Sequence, residues 1–157
     1  MLLIQGFLLM LSLCVIALAL ALARISLGGG LYETGVVDPA WPSRPDIVQP
    51  ARGGISRRRF WIPAHVAFEV TLATSLVLFW DAPETRPGLL VALASHTIMR
   101  IWSAFDFIPK ALAFERAAAV TVDEARSWTR RSRLRLLLDL ITCGGMMIAF
   151  AAAARAL

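Results

Sequence analysis

The sequence predicts an all-α fold, an integral membrane four-helix bundle with two cytoplasmic loops. Three observations carry that expectation. Of 157 residues, 58% are apolar and only 17% are charged, whereas a soluble domain is about half apolar and about a quarter charged. The apolar excess falls into four runs of about twenty residues, each long enough to cross about 30 Å of hydrocarbon. The basic residues are almost all Arg and gather in two stretches between the runs, as they do in cytoplasmic loops. A secreted disulfide scaffold, a disordered tail and a typical soluble enzyme are excluded. At this length one domain, 1–157, is expected.

The first run, Leu2 to Leu27, has no charge before Arg24. It lacks a basic leader and is too long for a signal-peptide core, so it is read as a retained helix. Gly28, Gly29 and Gly30 are expected to end it, as glycine runs do. The second span runs from about Trp61 to Trp80, with a Trp for each interfacial belt and Pro63 in the first turn. Asp81-Ala82-Pro83-Glu84 makes a short turn, so the third span, Pro87 to Ile108, must be its antiparallel neighbour. Pro109 is expected to stop that span. The fourth covers about Leu134 to Ala154. Between them, 31–60 carries Pro39, Pro42, Pro45, Pro50, Gly53 and Gly54 and reads as an ordered or semi-extended loop. In 110–133, Thr121 followed by Glu124 matches a capping box, which predicts a short surface helix leading into span four. Cys14 and Cys143 lie inside apolar runs without metal-type spacing and read as small buried hydrophobes.

The charge distribution sets an expected orientation. The side with the two long loops carries Arg24, Arg44, Arg52, Arg57, Arg58, Arg59, Lys110, Arg116, Arg126, Arg130, Arg131, Arg133 and Arg135. The other side has only Arg86 and Arg155. The loops should face the cytoplasm and both termini should lie outside. The net charge of +5 comes with no nucleic-acid motif, so no nucleic-acid partner is expected.

Ionisable groups inside spans are functional candidates, since a charge at the bilayer centre costs at least ~2.5–3.5 kcal/mol. Here they are His65 and Glu69 in span two, His96, Arg100 and Asp106 in span three, and Arg135 and Asp139 in span four, with Glu33 able to join from the loop. Each of His65/Glu69, His96/Arg100 and Arg135/Asp139 is four residues apart and shares a helix face. Counting ~1.5 Å per residue from the cytoplasmic helix ends puts Glu69 and Arg100 level, at about 12–13 Å. The same count leaves His65 and His96 about 13 Å apart in depth. Asp106, His65 and Asp139 would form a second layer nearer the cytoplasm. With Trp61, Phe68, Trp102 and Phe105 around them, the set reads as a half-depth pocket open to the cytoplasm, mostly apolar with a few convergent polar groups.

Each group also has a structural reading. Glu69 with Arg100 can be a buried ion pair that fixes helix register, Arg135 can snorkel while pairing with Asp139, and Asp106 can sit at headgroup level beside Lys110. Metal binding is disfavoured: no Glu-x-x-His occurs, and the expected depth gap keeps the histidines from sharing an ion. No cofactor is expected, there being no dinucleotide or phosphate-loop fingerprint. What remains is acid–base chemistry with His65 and Glu69 as the proton-transfer pair and Arg100 stabilising an anion. Glu33, Trp61, Phe68, His96, Trp102, Asp106 and Asp139 would then contact substrate.

Gly28-Gly29-Gly30-Leu31-Tyr32-Glu33, Pro39-Ala40-Trp41, Phe60-Trp61-Ile62-Pro63-Ala64-His65, Trp128 and the arginines before span four together cover most of the chain. In these the sequence resembles small four-helix bacterial membrane proteins related to anthrone oxygenases. The resemblance implies a bacterial inner (plasma) membrane protein that oxidises a polyphenolic or polyketide substrate without a tightly bound cofactor. Separately, His65-x-x-x-Glu69 is similar to emopamil-binding-type sterol isomerases, in which a His and a Glu handle protons at a double bond. The expected function is therefore isomerisation, cyclisation or cofactor-independent oxygenation of a lipophilic small molecule. The alternatives are a non-enzymatic accessory or assembly subunit of a larger membrane complex, and a lipophilic-ligand-binding protein. Membrane lipids are expected partners, and a homo-oligomer remains open.

Overall fold

The computed structural model describes residues 2–117 and 119–156; Met1, Ala118 and Leu157, which the expected 1–157 unit includes, lie outside the described residues. The described residues are mostly helical and contain no strand. Helix α1 is Leu2–Tyr32, α2 Arg58–Leu78, α3 Arg86–Trp102, α4 Ile108–Arg116, α5 Val122–Ser132 and α6 Arg135–Arg155. Four helical stretches are long and apolar enough to cross a membrane, at Gly6–Val37, Arg58–Leu78, Arg86–Arg116 and Val122–Arg155.

Three expected helix boundaries are corrected. Gly28, Gly29 and Gly30 do not end α1, which runs through them into a π-helical turn at Glu33–Val37. Tertiary packing overrides the glycine signal. A Cβ on Gly29 would come within 2.5 Å of the Phe60 ring, and one on Gly30 within 2.7 Å of Leu136. The glycines therefore let α2 and α6 close on α1 instead of breaking it.

Pro109 likewise does not stop the third span. Ser103–Phe107 forms a second π-helical turn, in which the N–H of Ile108 reaches back to Ser103 O. Such a wide turn displaces the carbonyls a proline ring would meet, and Pro109 then sits in the first turn of α4, where a missing N–H is harmless. Pro63 lies inside α2, not in its first turn, because α2 starts at Arg58. The link between α2 and α3, the α5 helix with Thr121 Oγ1 accepting from Glu124 N, and the extent of α6 match expectation.

The helices form a ring in the order α2, α1, α6, α3, and the seam from α3 back to α2 has the sparsest packing. The tightest seam joins α3 and α6. A Cβ on Gly88 would lie 2.7 Å from Gly145 O, and one on Gly145 2.7 Å from Gly88 O. Both belong to small-x-x-x-small pairs, Gly88/Ala92 and Gly145/Ala149, which let helix backbones touch in lipid. Ser95 Oγ then donates across the seam to Leu138 O at 2.8 Å. Inside the ring, Ile16, Phe68, Leu72, Leu89 and Met146 form the core. Outward-facing residues are also apolar, among them Val77, Ile148 and Phe105. At 84% exposure, Phe105 points away from any pocket, contrary to expectation. Cys143 is buried as expected, but Cys14 is exposed on α1.

The 31–60 segment is an ordered plug. Trp41, Trp128, Phe107, Val37 and Val48 make a second core beyond the bundle. Gln49 is buried and donates from Nε2 to Phe114 O and Ala117 O, both at 3.0 Å. The Arg57 guanidinium lies between the Trp41 and Trp128 rings at 5.5 and 5.0 Å, a cation–π arrangement. Asp38, also buried, accepts from Trp41 Nε1 at 3.3 Å. Burial, helped by the Glu33 charge, pushes the Asp38 carboxyl up to about 6, against the opposing pull of Arg57, Trp41 and Arg133.

Gly145→Val should weaken the bundle by about 1–3 kcal/mol or more, the range for overpacking, read as a lower thermal midpoint in detergent. Gly144→Ala should leave it unchanged, since nothing lies within 4 Å of a Cβ there. Asp38 adds a pH signature. Its folded pKa is raised above the ordinary 3.8, so its contribution is favourable below about 4 and is lost as pH climbs through about 6. Asp38→Asn should flatten that part of the profile, a difference on the order of 1–3 kcal/mol at neutral pH.

Candidate functional site

The polar groups of α2 and α3 meet at half depth. Glu69 is the twelfth of the 21 residues of α2, about 16 Å from its start and about 14 Å from its end at 1.5 Å per residue. Its Oε1 accepts from Arg100 Nε at 2.8 Å and faces His96 Nε2 at 3.3 Å. The Phe68 and His96 rings meet edge to face with centroids 4.8 Å apart.

His65 sits one turn away. Its ring centroid is 5.5 Å from that of His96 and 5.3 Å from Trp61, with which it stacks. Trp61 Nε1 in turn donates to Glu33 Oε1 at 2.9 Å. A relay of adjoining groups thus runs from Glu33 through Trp61, His65 and His96 to Glu69 and Arg100.

The expected 13 Å separation of the histidines is therefore wrong. Because the third span continues as a helix through α4 to Arg116, its depth cannot be counted from Ile108. The true register puts Glu69 level with His96, and the long Arg100 side chain spans the remaining turn. Even so, no three His, Cys, Asp or Glu groups converge as metal ligands among the described residues.

A cleft of about 390 Å³ opens beside the ion pair. Its walls are Glu69, Leu72, Ala73 and Leu76 of α2 and Leu93, His96, Thr97, Arg100 and Ile101 of α3. All belong to the loosely packed seam, so the cleft opens sideways between the two helices and not toward the loops as expected. The Glu69 and Arg100 side chains remain 42% and 36% exposed in it. The aliphatic wall was missed in the sequence. Its signal was present: Leu93, His96, Thr97, Arg100 and Ile101 follow the i, i+3, i+4, i+7, i+8 stripe of one helix face.

Other expected contact residues lie elsewhere. Glu33 and Trp61 bind each other behind His65. Trp102 packs on Phe107 in the loop-side core. Asp106 is held by Lys110 and, at 3.3 Å, by Arg131, in line with the headgroup-level reading and away from the cleft. The expected Arg135–Asp139 ion pair is not formed among the described residues. Arg135 instead donates to Ser103 Oγ at 3.1 Å and Ser132 Oγ at 2.7 Å, and lies 4.3 Å over the Phe107 ring. Asp139 faces α1 at Gly30.

The geometry predicts strong coupling between the paired charges. Glu69→Gln and Arg100→Gln should each lower the thermal midpoint, and the double variant should recover part of the loss, with a coupling energy of about 0.5–3 kcal/mol. Additive losses would mean that the contact contributes nothing to the fold.

Comparison with family models, curated proteins and solved structures finds no match for this chain.

Proposed function

We propose that this chain is a multi-pass membrane enzyme that transfers protons on a lipophilic small molecule held in the cleft between α2 and α3. One observation carries the reading: a Glu69–Arg100 ion pair with His96 against it, at half depth, in an aliphatic slot open to the lipid side. Charges at that depth are costly enough to be functional by default. A ligand dissolved in the bilayer reaches them without crossing water.

In this reading Glu69 is the base and takes a proton from an acidic carbon of the ligand. Arg100 stabilises the resulting enolate-like anion, and His96, one hydrogen bond from the carboxylate, shuttles the proton back. Return to a different carbon gives an isomer, and attack of the anion on an internal electrophile gives a cycle. Addition of dioxygen to the carbanion gives an oxygenated product, as the resemblance to anthrone oxygenases implies. His65 takes the supporting place behind His96, and the acid–base pair becomes Glu69 with His96 in place of Glu69 with His65. The arginine-rich loops are assigned to the cytoplasm of a bacterial inner membrane, with both termini outside.

The lateral exposure of Glu69 and Arg100 favours one second reading, a non-enzymatic subunit whose partner helix covers the seam.

The experiment is gentle extraction from the native membrane, native mass spectrometry, and incubation of the isolated chain in deuterated water. The enzyme reading expects a stoichiometric lipophile that gains deuterium at carbon. Glu69→Gln should slow that exchange by about 100-fold or more, the usual contribution of a general base, with the folded protein still abundant. Recovery only with a fixed partner protein and no small molecule would replace the enzyme with the complex subunit.

A further inference from the structure

A second concavity, of about 540 Å³, lies on the loop side between the 38–43 segment and α5. It shares no residue with the cleft. Arg126, Arg130 and Arg133 all line it, and their i, i+4, i+7 spacing sets them along one helix face. None of the three makes an ion pair or side-chain hydrogen bond among the described residues. Other arginines of the chain do find carboxylates: Arg44 meets Asp46, Arg58 meets Glu115, Arg100 meets Glu69 and Arg131 meets Asp106. Arg131 of α5 is thus paired, whereas Arg126 and Arg130 of the same helix and Arg133 at its C-cap have no carboxylate at ion-pair distance among the described residues.

Two carboxylates also line the concavity, Asp38 and Asp123. Asp38 is buried and accepts from the Trp41 indole, whereas Asp123 sits in the first turn of α5, where a negative charge complements the helix dipole. Neither one neutralises the arginine row by direct contact. Ser43 and Ser127 add hydroxyls to the same lining.

We propose that this concavity is a binding site for a phosphate group. Three guanidinium forks at one-turn intervals offer more donors than a carboxylate has oxygens, and they suit the several oxygens of a phosphate. The position agrees. Only Arg133 and Leu134 separate α5 from α6, so the arginine row stands where the apolar span begins, at the level of lipid phosphates. The phosphate can belong to an anionic lipid or to a soluble phosphate compound from the loop side; the protein chemistry is the same for both.

The test uses the full chain in nanodiscs. One arm contains phosphatidylcholine with a minor share of phosphatidylglycerol, and native mass spectrometry counts the phosphatidylglycerol retained after extraction. The other contains phosphatidylcholine alone and is titrated with inorganic phosphate or pyrophosphate, followed by tryptophan fluorescence. Arg130→Gln should weaken binding about fivefold, and the triple Arg126→Gln/Arg130→Gln/Arg133→Gln about a hundredfold, the range for one and three basic residues at a charged surface. Arg116→Gln, which removes an exposed arginine outside the concavity, should change nothing. Retention in the first arm identifies a headgroup, and saturation in the second identifies a soluble phosphate. The proposal is overturned if neither arm separates wild type from Arg130→Gln. It is equally overturned if Arg116→Gln weakens binding as much as Arg130→Gln, since the effect would then belong to a diffuse basic surface.

Discussion

The close approach of α3 and α6 at Gly88 and Gly145 governs the rest of the bundle. In lipid there is little hydrophobic drive to hold helices together, so contact area at short range decides which pairs pack. The two Gly-x-x-x-Ala pairs draw α3 against α6, while Gly29 and Gly30 draw α1 against α2 and α6. No such glycine contact joins α2 to α3 among the described residues. The α2–α3 seam is left loose, although these helices are adjacent in sequence and joined by a short turn. What closes it at half depth is Glu69 with His96 and Arg100.

That arrangement ties helix packing to a polar cluster. A carboxylate accepting from a guanidinium and facing an imidazole in a low-dielectric setting is a strong local clamp. Glu69 and Arg100 are partly uncovered on their lateral side while His96 is buried, so the cluster is not a sealed structural pair. Aliphatic walls from both helices surround them. The slot matches the general form of a small-molecule site, apolar with a few convergent polar groups.

The loop side follows a different logic. There the chain builds a small aromatic core from Trp41, Phe107, Phe114 and Trp128 around the Arg57 guanidinium. This core fixes the 31–60 segment against α4 and α5 and gives the arginine row of α5 an opposing wall. The two π-helical turns, at Glu33–Val37 and Ser103–Phe107, lie at the junction of bundle and plug. They carry α1 and the third span across that junction without a break.

Much of the architecture was legible in the residues. Apolar length determined four spans, the Thr121/Glu124 cap determined α5, and ionisable residues four apart determined which groups share a helix face. These are properties of single helices, set by local periodicity. Gly28–Gly30 and Pro109 misled for the complementary reason: a glycine or proline acts as a breaker only where no neighbouring helix or wide turn compensates for it. Tertiary structure alone decided that His96 and not His65 meets Glu69, that the cleft opens sideways, that Trp102 and Asp106 leave the site, and that Arg126, Arg130 and Arg133 line one concavity. Each of these depends on the axial shift and rotation of one helix against another. A shift of α3 by one turn, about 5.4 Å, would take His96 away from Glu69, and nothing within a single helix records that register.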